Sequence, residues 1–568
     1  MAESSQSAIK GLARKPELWC LLLLVAVLAA YSNHFQNSFQ FDDFTAVVNN
    51  HAIRNPGTML RAFVDADLFS VMPEQRLYRP VTVASLALDY WLGDSRQPFF
   101  FHLSTFVWYE VQLVLMFLLF RRIMDRTDPH PSNAYTALIA AAVFGLHPAN
   151  AETVNYVIQR ADLYNALGCI ASLWLFLRYP SQRRFCWYLL PAVAAMLAKP
   201  PALVFPFLLL VYVLLFEQDG TATLPGAEQH KKWRRAIRSA LPALAVAGAA
   251  AWLLARMQPR TWHPGAASPL HYWITQPWVA LHYFKSFFLP TGLAIDAGWP
   301  YADPFSAQAL AGYLFVLGLL VAAVAAWRHG PTRPVAFGIL WFIVTLLPTS
   351  LTPLADVTSD HRMFFPFVGL SLAVCWSLRL ALFYKTGRLS VKPYWTYGTV
   401  GAVAALLAVA GAATWVRNTV WYTQESLWRD ATLKYPRDVR AWTNWGCVPF
   451  GVADYAEALF RWERAASLDP ACAVCQFDLA KVYIELHQYQ VAERCYQRAL
   501  QLNPHVPVLY IFWSDWLRTL GRFAESRSLL ERGIRLNPAS PELRAALEAD
   551  DMEHGAGQGA PPNTGVTR

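Results

Sequence analysis

The chain has 568 residues, 55% of them hydrophobic and only 15% charged, and its mean hydropathy is +0.25. That balance excludes an ordinary soluble enzyme, and because the apolar residues fall in long blocks it indicates a multi-pass membrane protein. The formal charge of +9 does not point to nucleic acid, since the basic residues cluster between apolar blocks: Lys10, Arg14 and Lys15; Arg121, Arg122 and Arg126; Arg178, Arg183 and Arg184; Lys231 to Arg238; Lys385 to Lys392. This is the pattern of cytoplasmic loops.

In chain order the blocks predict eleven spans, near 17–36, 101–121, 134–148, 157–179, 184–198, 201–217, 236–257, 307–327, 334–352, 363–384 and 394–416. The first reads as an uncleaved helix rather than a signal peptide, because it is not succeeded by a small-x-small cleavage pattern. With the basic loops inside, the loops at 37–100, 149–156, 258–306 and 353–362 face outward, and an odd count places the C-terminus outside too. The segment from Trp278 to Pro290 is short and holds His282 and Lys285. It reads as interfacial or re-entrant.

The first outer loop, 37–100, carries Phe41-Asp42-Asp43-Phe44 just beyond the first span. Two adjacent acids are often mere solvated decoration, but aromatic neighbours bury a carboxylate and raise its pKa, which suits it to take a proton from a hydroxyl. Asn55-Pro-Gly57 predicts a helix to Phe69 with Leu60, Phe63, Val64 and Leu68 on the membrane surface. A further helix is expected over Val83 to Leu92, so the loop is a structured lid.

The polar run from His147 to Asp162 lies between apolar segments, which puts Glu152, Arg160 and Asp162 at a membrane boundary. From Ala151 it predicts one helix start, with Asn155, Gln159 and Asp162 on one polar side. Lys199, where span five breaks at Pro200-Pro201, and Asp360-His361-Arg362, before span ten, add outer-face cations. Each alone could be an interfacial anchor; converging on the same carboxylates, they suggest a site for a phosphate whose lipid tail lies in the bilayer. There is no Gly-rich phosphate loop, no zinc-spaced histidine pair and no serine elbow.

Pro436, Pro470, Pro504 and Pro538 recur every 34 residues, the tetratricopeptide period. Trp442, Trp445, Gly446, Ala458, Trp462 and Ala465, then Leu479, Ala480, Tyr483, Ala492, Tyr496 and Ala499, fill the repeat positions, and a third unit keeps Tyr510, Leu530 and Gly533. Pro449 is expected to kink or shorten the first helix. Of the eight cysteines, Cys447, Cys472, Cys475 and Cys495 fall in the repeats, where the topology allows a disulfide. Cys472-x-x-Cys475 could instead be a redox or metal half-site. Residues 549–568 read as a disordered tail.

Taken in order, Phe-Asp-Asp-Phe at 41–44, Tyr-Arg-Pro-Val at 78–81, His-Pro-x-x-x-Glu-x-Val at 147–154, Gln-Arg-Ala-Asp-Leu at 159–163, Lys199, His-Arg-Met-Phe-Phe-Pro at 361–366 and Arg417-Asn-x-x-Trp421 resemble the transmembrane and tetratricopeptide-repeat-containing O-mannosyltransferases, polytopic glycosyltransferases of the C type. The chain departs from the family at Pro200, where an acid is usual, and at Thr105 and Tyr109, where Asn and His are usual. The resemblance implies an all-α fold: a polytopic helix bundle over 1–416, then a repeat solenoid over 417–548. It implies transfer of a sugar from a polyprenyl-phosphate donor to a protein acceptor held by the repeats, with Asp42 or Asp43 as base and Glu152 as the next candidate. Arg160, Lys199, His361 and Arg362 are expected at the donor phosphate, and Arg79, His102, His147 and Asp162 around the cavity. No metal site or cofactor is predicted; a divalent cation is compatible with the acids but not called for. The Trp and Arg content and the short repeat domain suggest a bacterial inner membrane, with the N-terminus cytoplasmic and the repeats periplasmic. A flippase of lipid-linked glycans or an inert membrane-anchored scaffold are the competing readings. Acids gathered on one face argue against the first and paired acids against the second.

Overall fold

The structure is a computed structural model and describes residues 16–93, 97–217, 227–259, 265–385, 388–389, 393–538 and 540–558. The basic residues Lys10, Arg14 and Lys15 and the end of the expected tail lie outside them. Apart from a two-residue pairing of Tyr384–Lys385 with Arg388–Leu389, all regular structure is helical. The chain divides into two compact units, up to Asp430 and from Ala431.

Among the described residues, six helices of the first unit are long and apolar enough to cross a membrane: Phe99–Thr127, Lys232–Met257, Ala307–Arg328, Gly330–Leu351, Asp360–Leu382 and Gly398–Thr419. Shorter apolar helices occupy Pro16–Ala30, Asn133–Gly145, Trp187–Ala198 and Pro200–Phe216, and the more polar Arg160–Arg178 supplies a helix at the remaining expected position. The segment read as interfacial or re-entrant is an unbroken helix, Pro269–Phe288, so it contains no reversal. Helices Arg333–Leu351 and Phe364–Phe383 meet at Gly338 and Gly369. A Cβ on Gly338 would lie 2.3 Å from the Gly369 carbonyl oxygen, and one on Gly369 2.5 Å from that of Gly338. Where lipid removes the hydrophobic drive between helices, such close backbone approach supplies the packing.

The lid departs from the single expected helix. Thr58–Arg61 makes one turn and Ala66–Phe69 another; Leu60 and Val64 are 81% and 77% exposed, whereas Leu68 turns inward. The expected second helix runs over Pro80–Gly93. Residues 417–430, assigned by the repeat pattern to the second domain, pack with the first unit. Trp421 and Trp428 are buried, Trp421 stacks on Tyr156 at 5.8 Å, and Arg417 donates to Asp430 at 2.7 Å.

The second unit stacks helix pairs Val439–Gly451 with Tyr455–Leu468, Ala473–Glu485 with Tyr489–Leu502, and Pro507–Thr519 with Phe523–Leu536. A last helix, Pro541–Gln558, takes up residues 549–558, which composition alone assigns to a disordered tail. Pro449 does not shorten its helix, which has 13 residues like its counterpart Ala473–Glu485. The carbonyl of Trp445, which a proline four residues on cannot serve, instead accepts from Arg461 Nη1 at 3.1 Å, and that guanidinium lies over the Trp445 ring. An external donor thus replaces the lost ladder bond.

Candidate active site

Three interruptions of helical structure build the site. Tyr156, extended at φ −85° and ψ 106°, separates Ala151–Asn155 from the turn Val157–Gln159. Lys199, at φ −155° and ψ 134°, is held out of helix by the adjoining Pro200. Ser359 is extended ahead of Asp360–Met363. These breaks bring polar groups to the cavities, where irregular backbone is tolerated because it lines a cavity.

The break at Tyr156 changes which side chains share a face. Asn155 bonds His34 and Asn37, away from Gln159 and Asp162, so the expected polar stripe of three does not form. Gln159 and Asp162 both meet Lys199: its Nζ donates to Asp162 Oδ2 at 2.5 Å and to Gln159 Oε1 at 3.1 Å. This pair lies on a cavity of about 190 Å³ whose polar wall also carries Arg79, His361 and Arg362 and whose apolar wall is Pro201, Leu354 and Phe365. Arg362 Nη1 is anchored on the Asp356 carbonyl at 2.8 Å. Three basic side chains thus surround one carboxylate, leaving a positive excess beside an apolar surface, as a lipid-borne phosphate requires.

The lid acids part company. Phe41 has φ 43°, strained for a bulky residue, and its ring sits edge-on to Trp428 at 5.3 Å. Beyond that turn Asp43 points inward. It is fully buried and accepts from the backbone N–H groups of Ile158 at 2.9 Å, Gln40 at 3.0 Å and Val157 at 3.4 Å. Burial pushes its pKa up to about 7, while those three donors pull the other way. Asp42 faces a second cavity, of about 130 Å³, with Thr45, Gln75 and Arg79. Its backbone N–H is held by Tyr156 Oη at 2.9 Å, and its Oδ1 accepts from Gln75 Nε2 at 3.2 Å. Arg79 and Gln159 line both cavities, so Asp42 and the cationic pocket share a wall. The Arg79 guanidinium lies over the Phe69 ring at 5.1 Å and, among the described residues, has no hydrogen-bonded partner. Burial lowers its pKa against the opposing pull of Asp162 and Asp42.

Glu152 stands behind the cavity rather than in it. It is buried and meets His361 Nδ1 through Oε1 at 2.7 Å, with Ser359 Oγ on the same nitrogen at 2.8 Å. Burial first, and then the Asp360 charge, raises its carboxyl well above the usual range. A carboxyl on Nδ1 fixes the imidazole orientation and leaves Nε2 for the cavity.

Three expected site residues are elsewhere. Arg160 opens its helix facing Pro80–Gly93, where it is fully buried, ion-paired with Asp89 and donating to the Phe101 carbonyl at 2.7 Å, and it lines neither cavity. His102 bonds the Asn37 carbonyl at 2.9 Å and packs on the His34 ring. His147 bonds the Phe287 carbonyl at 3.0 Å and the Ala149 N–H. Both histidines tie backbone breaks together, the ordinary fate of a buried imidazole. Sequence reasoning missed Gln75 and Tyr156 as site residues and Asp89 as the partner of Arg160; an acid within an apolar helix was the available signal for the last. Among the described residues no group of His, Cys, Asp and Glu is placed to hold a metal ion.

The tetratricopeptide repeat pattern matches residues 473–506. The chain is similar to Protein O-mannosyl-transferase Tmtc3 of Drosophila melanogaster, 22% identical over 556 residues, covering 85% of this chain and 58% of the relative. It is likewise similar to human TMTC3, 22% identical over 531 residues, covering 85% and 55%, and more locally to mouse TMTC1, 32% identical over 164 residues, covering 28% and 16%. The chain therefore spans little more than half the length of the curated relatives that it matches along most of its course.

Proposed function

From that likeness and the shared wall of the two cavities, we propose that this multi-pass membrane protein is a glycosyltransferase. In this reading it moves mannose, or another hexose, from a polyprenyl phosphate to a hydroxyl of a protein acceptor. The observation that carries it is the placement of Asp42, a carboxylate open to a cavity, across Arg79 from the cationic pocket of Lys199 and Arg362. The donor phosphate rests on those cations with its tail along Pro201, Leu354 and Phe365. Asp42 takes the acceptor proton as the acceptor oxygen attacks the anomeric carbon. The bond from that carbon to the phosphate oxygen breaks, and Arg79, Lys199 and Arg362 hold the charge that develops on the departing polyprenyl phosphate. Attack opposite the leaving group inverts the anomeric carbon. Asp43 and Tyr156 position the lid, and Glu152 positions His361.

The chemistry belongs on the non-cytoplasmic face, which in a bacterial inner membrane is the periplasm, and the repeats recruit the acceptor. Two experiments test this. Purified protein given radiolabelled polyprenyl-phosphate mannose and a Ser/Thr-rich peptide should transfer label to the peptide, or slowly to water; neither product would favour a scaffold. A reporter active only in the cytoplasm should stay silent when fused after Asp550, and a signal there would overturn the orientation.

A further inference from the structure

We propose that Cys472 and Cys475 form a redox-active pair, oxidised and reduced by exchange with an external protein dithiol. The pair is joined as a disulfide at the start of helix Ala473–Glu485. A ring closed over so few residues removes little freedom from the unfolded chain, so it makes a poor structural brace. Its geometry suits exchange better. Cys472 is part-exposed at the N-cap and Cys475 is fully buried one turn on, giving one sulfur to attack and one to leave. Cys472 Sγ accepts the Cys475 N–H at 3.0 Å, a contact that stabilises a thiolate formed there.

A partner also stands ready for the reduced form. Thr443 Oγ1 lies 3.5 Å from Cys475 Sγ, and its hydroxyl can donate to the Val439 carbonyl at 2.8 Å. With that hydrogen committed, the oxygen offers Cys475 only a lone pair, and only a thiol has a hydrogen to give. Reduction would thus add a bond between the first helices of consecutive repeats.

In the exchange an external thiolate attacks Cys472 Sγ, the S–S bond breaks, and Cys475 leaves as a thiolate that takes a proton. The second thiolate of the external dithiol then attacks the mixed disulfide and releases Cys472. The external dithiol is oxidised to its disulfide as the pair gains two electrons and two protons. The test uses the full chain in detergent with graded dithiothreitol, alkylation and peptide mapping, which separates these cysteines from Cys447 and Cys495. The pair should be reduced while the solenoid stays folded, and Cys472 should be alkylated at least about tenfold faster than Cys475. Cys475→Ser should accumulate a mixed disulfide with glutathione, and Cys472→Ser should not. Reduction only on unfolding, equal labelling of the two thiols, or equal glutathione adducts in both variants would each overturn the proposal.

Discussion

In the solenoid the buried positions recur every 34 residues, as Trp462, Tyr496 and Leu530 do; in the membrane unit the candidate site residues sit beside breaks in helical structure. Trp462 is fully buried between paired helices, its Nε1 donating to the Thr443 carbonyl at 2.9 Å, and Gly446 makes room for it, since a Cβ there would lie 2.3 Å from that nitrogen. Asp42, Lys199 and His361 instead lie beside backbone breaks: after a strained Phe41, before Pro200 and after an extended Ser359. Period therefore reports packing, and its interruption reports chemistry.

The sharpest way to break that comparison is to damage each unit separately. Trp462→Ala removes the largest side chain of the first repeat and should cost the solenoid about 3–5 kcal/mol. Calorimetry and proteolysis should show the solenoid melting while helices of the membrane unit stay protected. Under the proposed function, donor hydrolysis should persist while transfer to the protein acceptor fails; undiminished transfer would mean that the repeats do not deliver it. Next in size, Asp42→Asn should slow transfer by roughly 10²-fold or more with the fold intact, because the base is lost while the isosteric amide oxygen can still accept from Gln75 Nε2. Near-normal transfer would move the base elsewhere.

The same contrast explains how much of the molecule is legible in its sequence. Proline spacing at 436, 470, 504 and 538 reveals the repeats, and apolar block length reveals the membrane helices, because both depend on local pattern. Lys199 and Asp162 can be placed at one membrane edge because each stands at the end of an apolar run, before Pro200 and ahead of Leu163. Arg160 was misplaced because a single polar run reads as one helix; the extended Tyr156 rotates the next turn away from the first, and only the fold shows Asp89 opposite. Which of Asp42 and Asp43 faces the cavity depends on the positive φ of Phe41, which no residue type announces. The seating of Trp421 and Trp428 in the first unit is hidden for the same reason, being tertiary packing at the edge of a periodic segment.

A smaller effect tests the shared wall. Among the described residues the Arg79 guanidinium has no acceptor to leave stranded, so Arg79→Gln should spare the fold and remove one charge-assisted contact to the donor, worth about 1.5 kcal/mol or roughly tenfold. Because Arg79 also holds the charge that develops on the departing phosphate, steady-state kinetics should show kcat/KM for donor falling by about that factor, with kcat falling too. A rise in KM at constant kcat would instead put Arg79 on the bound donor alone.

The smallest expected effect is a pH dependence of the lid. The folded-state pKa of Asp43 is about 7, against an ordinary value of 3.8, so between those values the folded chain holds a proton that the open chain has lost. A pKa raised by folding gives stability that is fully present below the ordinary value and is lost as pH rises through 7, with a slope of at most about 1.4 kcal/mol per pH unit. The amides of Val157 and Ile158 report it directly, since both donate to this carboxyl. Their hydrogen-exchange protection, corrected for intrinsic rates, should fall between about pH 4 and about pH 7, the window in which only the folded chain keeps the proton. In Asp43→Asn it should start lower and stay flat. If wild type and variant shared one slope, the three N–H donors would have outweighed burial and kept Asp43 ionised throughout. The lid would then be held by a permanent anion, and the like charge of Asp43 would act on Asp42 at every working pH.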